Sequence, residues 1–81
     1  MTYVVTCSLG YGHRFVFGRD NMNFIIPTKS NAKFFKLFRT FDAAKKFAKY
    51  FNYYGFEEGI RYCKVEEFQT YYRNLKDKVK S

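Results

Sequence analysis

The sequence predicts a small α+β domain, an antiparallel sheet in the order β-β-β-α-β-α with its helices packed on one face. Three observations carry that expectation. The first 26 residues alternate with a period of two and are punctuated by glycines. Residues 41–54 then switch to a helical period, and a strand pattern followed by a helix pattern occupies the remainder. With 81 residues, eleven Phe and eight Tyr, the chain has the rings for one aromatic core and no length for a second. A single domain over 1–81 is expected.

Tyr3 to Leu9 places Tyr3, Val5, Cys7 and Leu9 on one face and Val4, Thr6 and Ser8 on the other, as a strand does. Gly10, Tyr11 and Gly12 make a turn, because glycine tolerates the positive φ of tight hairpin loops. His13 to Phe17 returns as the second strand with Phe15 and Phe17 inward. Gly18 to Asn21 turns again and Asn23 to Ile26 forms the third strand. Pro27 ends it by removing an N–H from the ladder.

"FFKLFRTF" is ambiguous. Phe34, Leu37, Phe41, Ala44, Ala48 and Phe51 continue one helical stripe, which allows a helix from Asn31 to Tyr54. A break at Thr40 is favoured, since its hydroxyl can cap a helix starting at Phe41 and Asp42 suits the positive end of the dipole. Phe41, Ala44, Phe47, Ala48 and Phe51 then form the core face, and Gly55 is the residue expected to end the helix. Ile60 to Val65 reads as the fourth strand. Glu66, Glu67, Phe68, Tyr72, Leu75 and Val79 fit a terminal helix.

The net charge is +8 and unevenly spread, with +5 between residues 33 and 54 and −2 between 55 and 67. Such clustering points to an anionic partner. Cys7 and Cys63 offer no CxxC spacing, and one His completes no zinc set, so neither metal nor cofactor is expected. A single bridge between the two cysteines is conceivable, but two reduced, buried thiols are favoured. No apolar run approaches the ~20 residues of a membrane span, and the start lacks a basic leader region, so a cytoplasmic location is expected.

No catalytic constellation is present. "GYGHRFVFG" lacks the spacing and the following helix of a dinucleotide loop and reads as a hairpin turn. The pairs Glu57–Glu58 and Glu66–Glu67 are adjacent carboxylates without the contrasting environments that acid–base chemistry requires. An enzyme is not expected. The stronger signal is lysine interleaved with tyrosine. On the helical wheel Lys45, Lys46 and Lys49 share the solvent face with Asp42, Tyr53 falls among them and Tyr50 sits at the edge. "YYRNLKDKVK" repeats that composition, adding Arg73 and Lys76. Lysines neutralise phosphates while exposed rings stack on bases or anchor a protein interface.

"LFRTFDAAKKFAKYF", residues 37–51, resembles the strand-to-helix junction F-x-T-x-x-x-A through Phe38, Thr40 and Ala44. That junction occurs in the arm-binding domain of tyrosine integrases and the plant ethylene-response domain. The resemblance implies DNA contact from exposed strand residues such as Arg14 and Arg19. This chain differs from those domains in its fourth strand, its last helix and its apolar early strands. Ala32, Lys33, Phe35, Phe38, Thr40, Ala44, Phe47 and Ala48 also resemble a pattern in small phage-encoded accessory proteins, including some anti-CRISPR proteins. The leading expectation is a non-enzymatic phage-type inhibitor of a host nucleoprotein machine, acting in the host bacterium through Lys45, Lys46, Lys49, Tyr53, Arg73 and Lys76. Its partner is a host protein or nucleoprotein complex, with nucleic acid as a further candidate. Direct double-stranded DNA binding and an oligomeric assembly role are the alternatives.

Overall fold

A computed structural model describes residues 1–8, 14–19, 24–55 and 59–75. The elements are β1 (Tyr3–Ser8), β2 (Arg14–Phe17), β3 (Phe24–Ile25), α1 (Phe41–Tyr54), β4 (Arg61–Glu67) and α2 (Phe68–Asn74). They form a four-stranded antiparallel sheet in the order β3-β2-β1-β4, so the expected α+β class and the three-stranded meander are observed. The turn expected at Gly10–Gly12, the Asp20–Asn21 half of the next one, Leu9, His13, Asn23 and Val79 lie outside the described residues.

The helices do not share a face. Val5, Cys7, Phe17, Ala44, Ala48, Ile60 and Cys63 are buried together beneath α1. Val4, Val16 and Phe35 are buried on the other side, where Phe68, Tyr71 and Leu75 pack. Val4 and Val5 are consecutive strand residues and therefore point to opposite faces. Consequently the sheet is covered twice, and Val4 to Ser8 are all buried. The expected one-sided burial of β1 fails because β1 is a central strand between two layers.

Thr40 breaks the chain as expected. It is extended (φ −128°, ψ 153°), and its Oγ1 accepts from the Ala43 N–H at 3.1 Å. Before it, the chain makes one 3₁₀ turn at Ala32–Phe34 and then crosses the end of the sheet. The Arg19 N–H donates to Phe34 O and the Lys36 N–H to Phe17 O, on the β2 side. Tyr3 and Phe38 then exchange both backbone bonds at 2.8 Å, on the β1 side. Phe35 belongs to the α2-side core and Phe38 to the α1-side core, so this crossing carries the chain between the two layers.

Ala44 and Ala48 let α1 approach closely, and Phe17 meets Phe47 and Phe51 with centroids 4.9 Å from each. Phe41 departs from the expected core. It is 49% exposed at the first turn and touches Tyr3 edge-on at 5.8 Å. Gly55 is also present for a different reason than expected. Its φ is −81°, open to any residue, but an added Cβ would lie 2.9 Å from Ile60 Cβ.

Glu66 and Glu67 extend β4 instead of opening the helix, paired with Val4 and Tyr3. Glu67 then caps α2, accepting from the Gln69 and Thr70 N–H groups and from the Thr70 hydroxyl. Those bonds, Thr70 foremost, hold its carboxyl below the usual range. After Asn74 the chain leaves the helix, and Leu75 is extended.

The β1–β4 register slips between Thr6 and Ser8, and the irregularity is held from both sides. Tyr62 adopts φ 53°, and its carbonyl accepts from the Arg14 guanidinium at 2.7 Å. One residue on, the Asn52 amide of α1 accepts from the Cys63 N–H at 2.8 Å and donates to Cys63 O at 3.0 Å.

Asn52→Ala should lower stability by about 1–3 kcal/mol, since it orphans two part-buried backbone groups. Thermal melting should register that as a fall of roughly 4–8 °C per kcal/mol. At Tyr62, a left-handed φ disfavours a β-branched side chain most. Tyr62→Val should melt below the wild type, whereas Tyr62→Gly should melt no lower. Tyr71 supplies a test of the α2 layer. Burial, reinforced by Glu66 and opposed by Arg14, pushes its hydroxyl up to about 12. The unfolded chain ionises a tyrosine near ~10, so this contribution is complete below that pH and is lost as pH rises towards 12. Tyr71→Phe should therefore lose less melting temperature between pH 9 and 11 than the wild type does.

Candidate binding surface on α1

The last turns of α1 hold more rings than its core face can bury. Tyr50, Tyr53 and Tyr54 are 55%, 76% and 61% exposed. They contact one another: Tyr50 lies 4.8 Å from Tyr54 and Tyr53 4.7 Å from Tyr54, centroid to centroid. Spacing accounts for the Tyr50–Tyr54 pair, because residues four apart on a helix are surface neighbours. Tyr50 also rests 5.1 Å from Phe51, which ties the cluster to the core. Together with Lys46 and Lys49 these tyrosines line an open groove of about 350 Å³.

The lysines of the chain are not equivalent. Lys29, Lys33, Lys36 and Lys45 each lie over an aromatic ring within 6.0 Å. Lys64 is 3.6 Å from Glu66. Lys46 and Lys49 have neither a ring nor a carboxylate partner among the described residues. Their charge faces water beside the tyrosines, so an anion placed there meets two uncommitted ammonium groups and a tyrosine surface.

The structure brings together only part of the expected set. Lys46, Lys49 and Tyr53 share the groove. Lys45 turns the other way, over Phe41 at 6.0 Å, and borders a second groove between α1 and β4 that also reaches Lys49. Arg73 is on α2, across the sheet from α1, and does not join them. The periodicity of "YYRNLKDKVK" cannot report which sheet face that helix covers. Lys76 lies outside the described residues. Tyr54 is a member the sequence reading passed over, although its spacing of four from Tyr50 was there to find.

The strand arginine implied by the DNA-binding resemblance is turned inward. The Arg14 guanidinium donates to Thr6 O at 3.1 Å, Thr6 Oγ1 at 2.9 Å and the Tyr62 carbonyl, which makes it part of the β1–β4 junction. Arg19 is exposed beyond the end of β2.

Cys7 and Cys63 are buried free thiols in the α1-side core. They interact directly, and hydrogen bonding to Cys63 together with burial pushes the Cys7 thiol well above its usual range. The same hydrogen bond lowers the Cys63 thiol, against the opposing effect of its burial. Among the described residues no group of three His, Cys, Asp or Glu could hold a metal ion, and no helix is long and apolar enough to cross a membrane. What this surface offers is stacking and charge. Comparison with family models, curated proteins and solved structures returns no match.

Proposed function

We propose that this chain is a small, non-enzymatic binding protein that engages a host nucleoprotein machine through the Lys46–Lys49–Tyr50–Tyr53–Tyr54 surface of α1. The observation that carries this reading is the set of three exposed tyrosines, with Tyr54 in ring contact with both Tyr50 and Tyr53, beside two lysines with no partner among the described residues. Each base stacked on such a ring contributes about 1–3 kcal/mol without regard to sequence, and each lysine displaces a counterion from a phosphate. An accessory role of the phage type, directed against a complex such as a CRISPR effector, accords with the likeness at Ala32 to Ala48 and with the chain's small size and net charge of +8.

The test is a pull-down from bacterial lysate, run with and without nuclease, comparing the wild type with a Lys46→Glu/Tyr53→Ala variant. Both positions are exposed, so each change should move the melting temperature by no more than about 2–4 °C, the range of ordinary surface substitutions in a domain of this size. It should lose the partner. Equal capture by both proteins would sink the assignment.

Direct contact with nucleic acid gives a separate expectation in a fluorescence anisotropy titration with a single-stranded oligonucleotide. With two phosphates neutralised by Lys46 and Lys49, log K should fall against log[salt] with a slope of about −1.4. A slope near zero would remove the lysines from the contact and leave a protein partner held by the tyrosines.

A further inference from the structure

β4 is an edge strand, and the hydrogen bonds of its ladder show what its outer edge offers. The Phe68 N–H donates to Thr2 O, and Tyr3 spends both backbone groups on Phe38. Antiparallel rungs alternate, so Val4–Glu66 and Thr6–Lys64 are the bonded pairs and Val5–Val65 is a non-bonded one. The N–H and C=O of Cys63 and Val65 therefore point away from β1. At Cys63 both are taken by the Asn52 carboxamide, which mimics the peptide group of an added strand. Val65 is the next rung, and its N–H and C=O have no partner among the described residues.

That open rung borders a groove of about 420 Å³ between α1 and β4, lined by Phe41, Lys45, Ala48, Lys49 and Val65 among others. An occupant that pairs with Val65 must supply a donor and an acceptor at strand spacing, which is the geometry of an extended polypeptide backbone. It must also meet the ammonium groups of Lys45 and Lys49, and no described carboxylate lines the groove. A second copy of this chain is disfavoured there, because edge-to-edge pairing would bring the same lysines face to face on proteins of net charge +8.

We propose that the outer edge of β4 binds an extended acidic peptide segment of a partner protein. The segment adds a strand at Val65 and directs alternate carboxylates towards Lys45 and Lys49. The backbone bonds supply affinity, and the alternate side chains supply selectivity. This site stands independently of the tyrosine surface, with which it shares Lys49 alone.

The test is an amide NMR titration of the isotope-labelled full chain with a short synthetic peptide of alternating Glu and Val, beside its Lys–Val counterpart. The Glu–Val peptide should shift the Val65 amide and slow its hydrogen exchange, and the Lys–Val peptide should do neither. Val65→Pro removes the outward N–H, which edge strands tolerate, together with a valine side chain that packs on the α1-side core. It should weaken binding about tenfold, the equivalent of roughly 1.4 kcal/mol. Lys45→Glu is an exposed helix change that carries the same expectation even where the proline variant fails to fold. Both should leave the Lys46–Tyr53 surface competent in the lysate pull-down. An unmoved Val65 amide, equal binding of the two peptides, full affinity in Lys45→Glu, or self-association through β4 would each overturn the proposal.

Discussion

Asn52 reaches from the exposed side of α1 to the outer edge of β4 and closes two hydrogen bonds on Cys63. That contact does two things a hydrophobic interface cannot. It satisfies an edge rung that would otherwise be open to solvent or to another chain, and it sets the position of α1 along β4 through directional bonds. Apolar packing of Ala44 and Ala48 tolerates sliding, whereas a bidentate amide does not. Arg14 braces the same irregularity from the opposite face through the Tyr62 carbonyl. The groove between α1 and β4 is lined in part by this junction, through Asn52 and Cys63.

The two-layer arrangement follows from β1. Its residues Val4 to Ser8 are buried, so neither face of the sheet can be left to solvent. α1 covers one face, while α2 and the chain around Phe35 cover the other. The extended run Phe35–Phe38 connects the layers by passing between the diverging ends of β1 and β2, with its backbone bonds divided between them. Each core is small and aromatic, which leaves part of Phe41 and most of the α1 tyrosines outside. Those surplus rings lie beside Lys46 and Lys49, which no ring or carboxylate partners among the described residues.

Much of this was legible in the residues. The alternation in β1 and β2, the cap at Thr40 and the stripe Ala44, Phe47, Ala48, Phe51 each report local geometry, and local geometry is what sequence spacing encodes. The grouping of Lys46, Lys49 and Tyr53 was legible for the same reason, since all lie on one helix. Readings failed where the answer depended on other elements. Glu66 and Glu67 satisfy a helical pattern equally well, but backbone partners on β1 claim them for a strand. Phe41 fits the core stripe, yet the sheet does not extend beneath the first turn far enough to cover it. Arg73 shares its composition with the α1 surface but lies across the sheet.

By itself the sequence determined the elements, their order, the cap that divides the central segment and the charged aromatic face of α1. These depend on residues a few positions apart, where periodicity and capping chemistry act. Tertiary structure alone decided that the helices take opposite faces, that a 3₁₀ turn and a crossing strand link the layers, and that Asn52 occupies one edge rung while the next, at Val65, has no partner among the described residues. Those outcomes depend on which distant backbone groups come to face one another, and a hydrogen bond between residues 52 and 63 leaves no periodic trace in the chain.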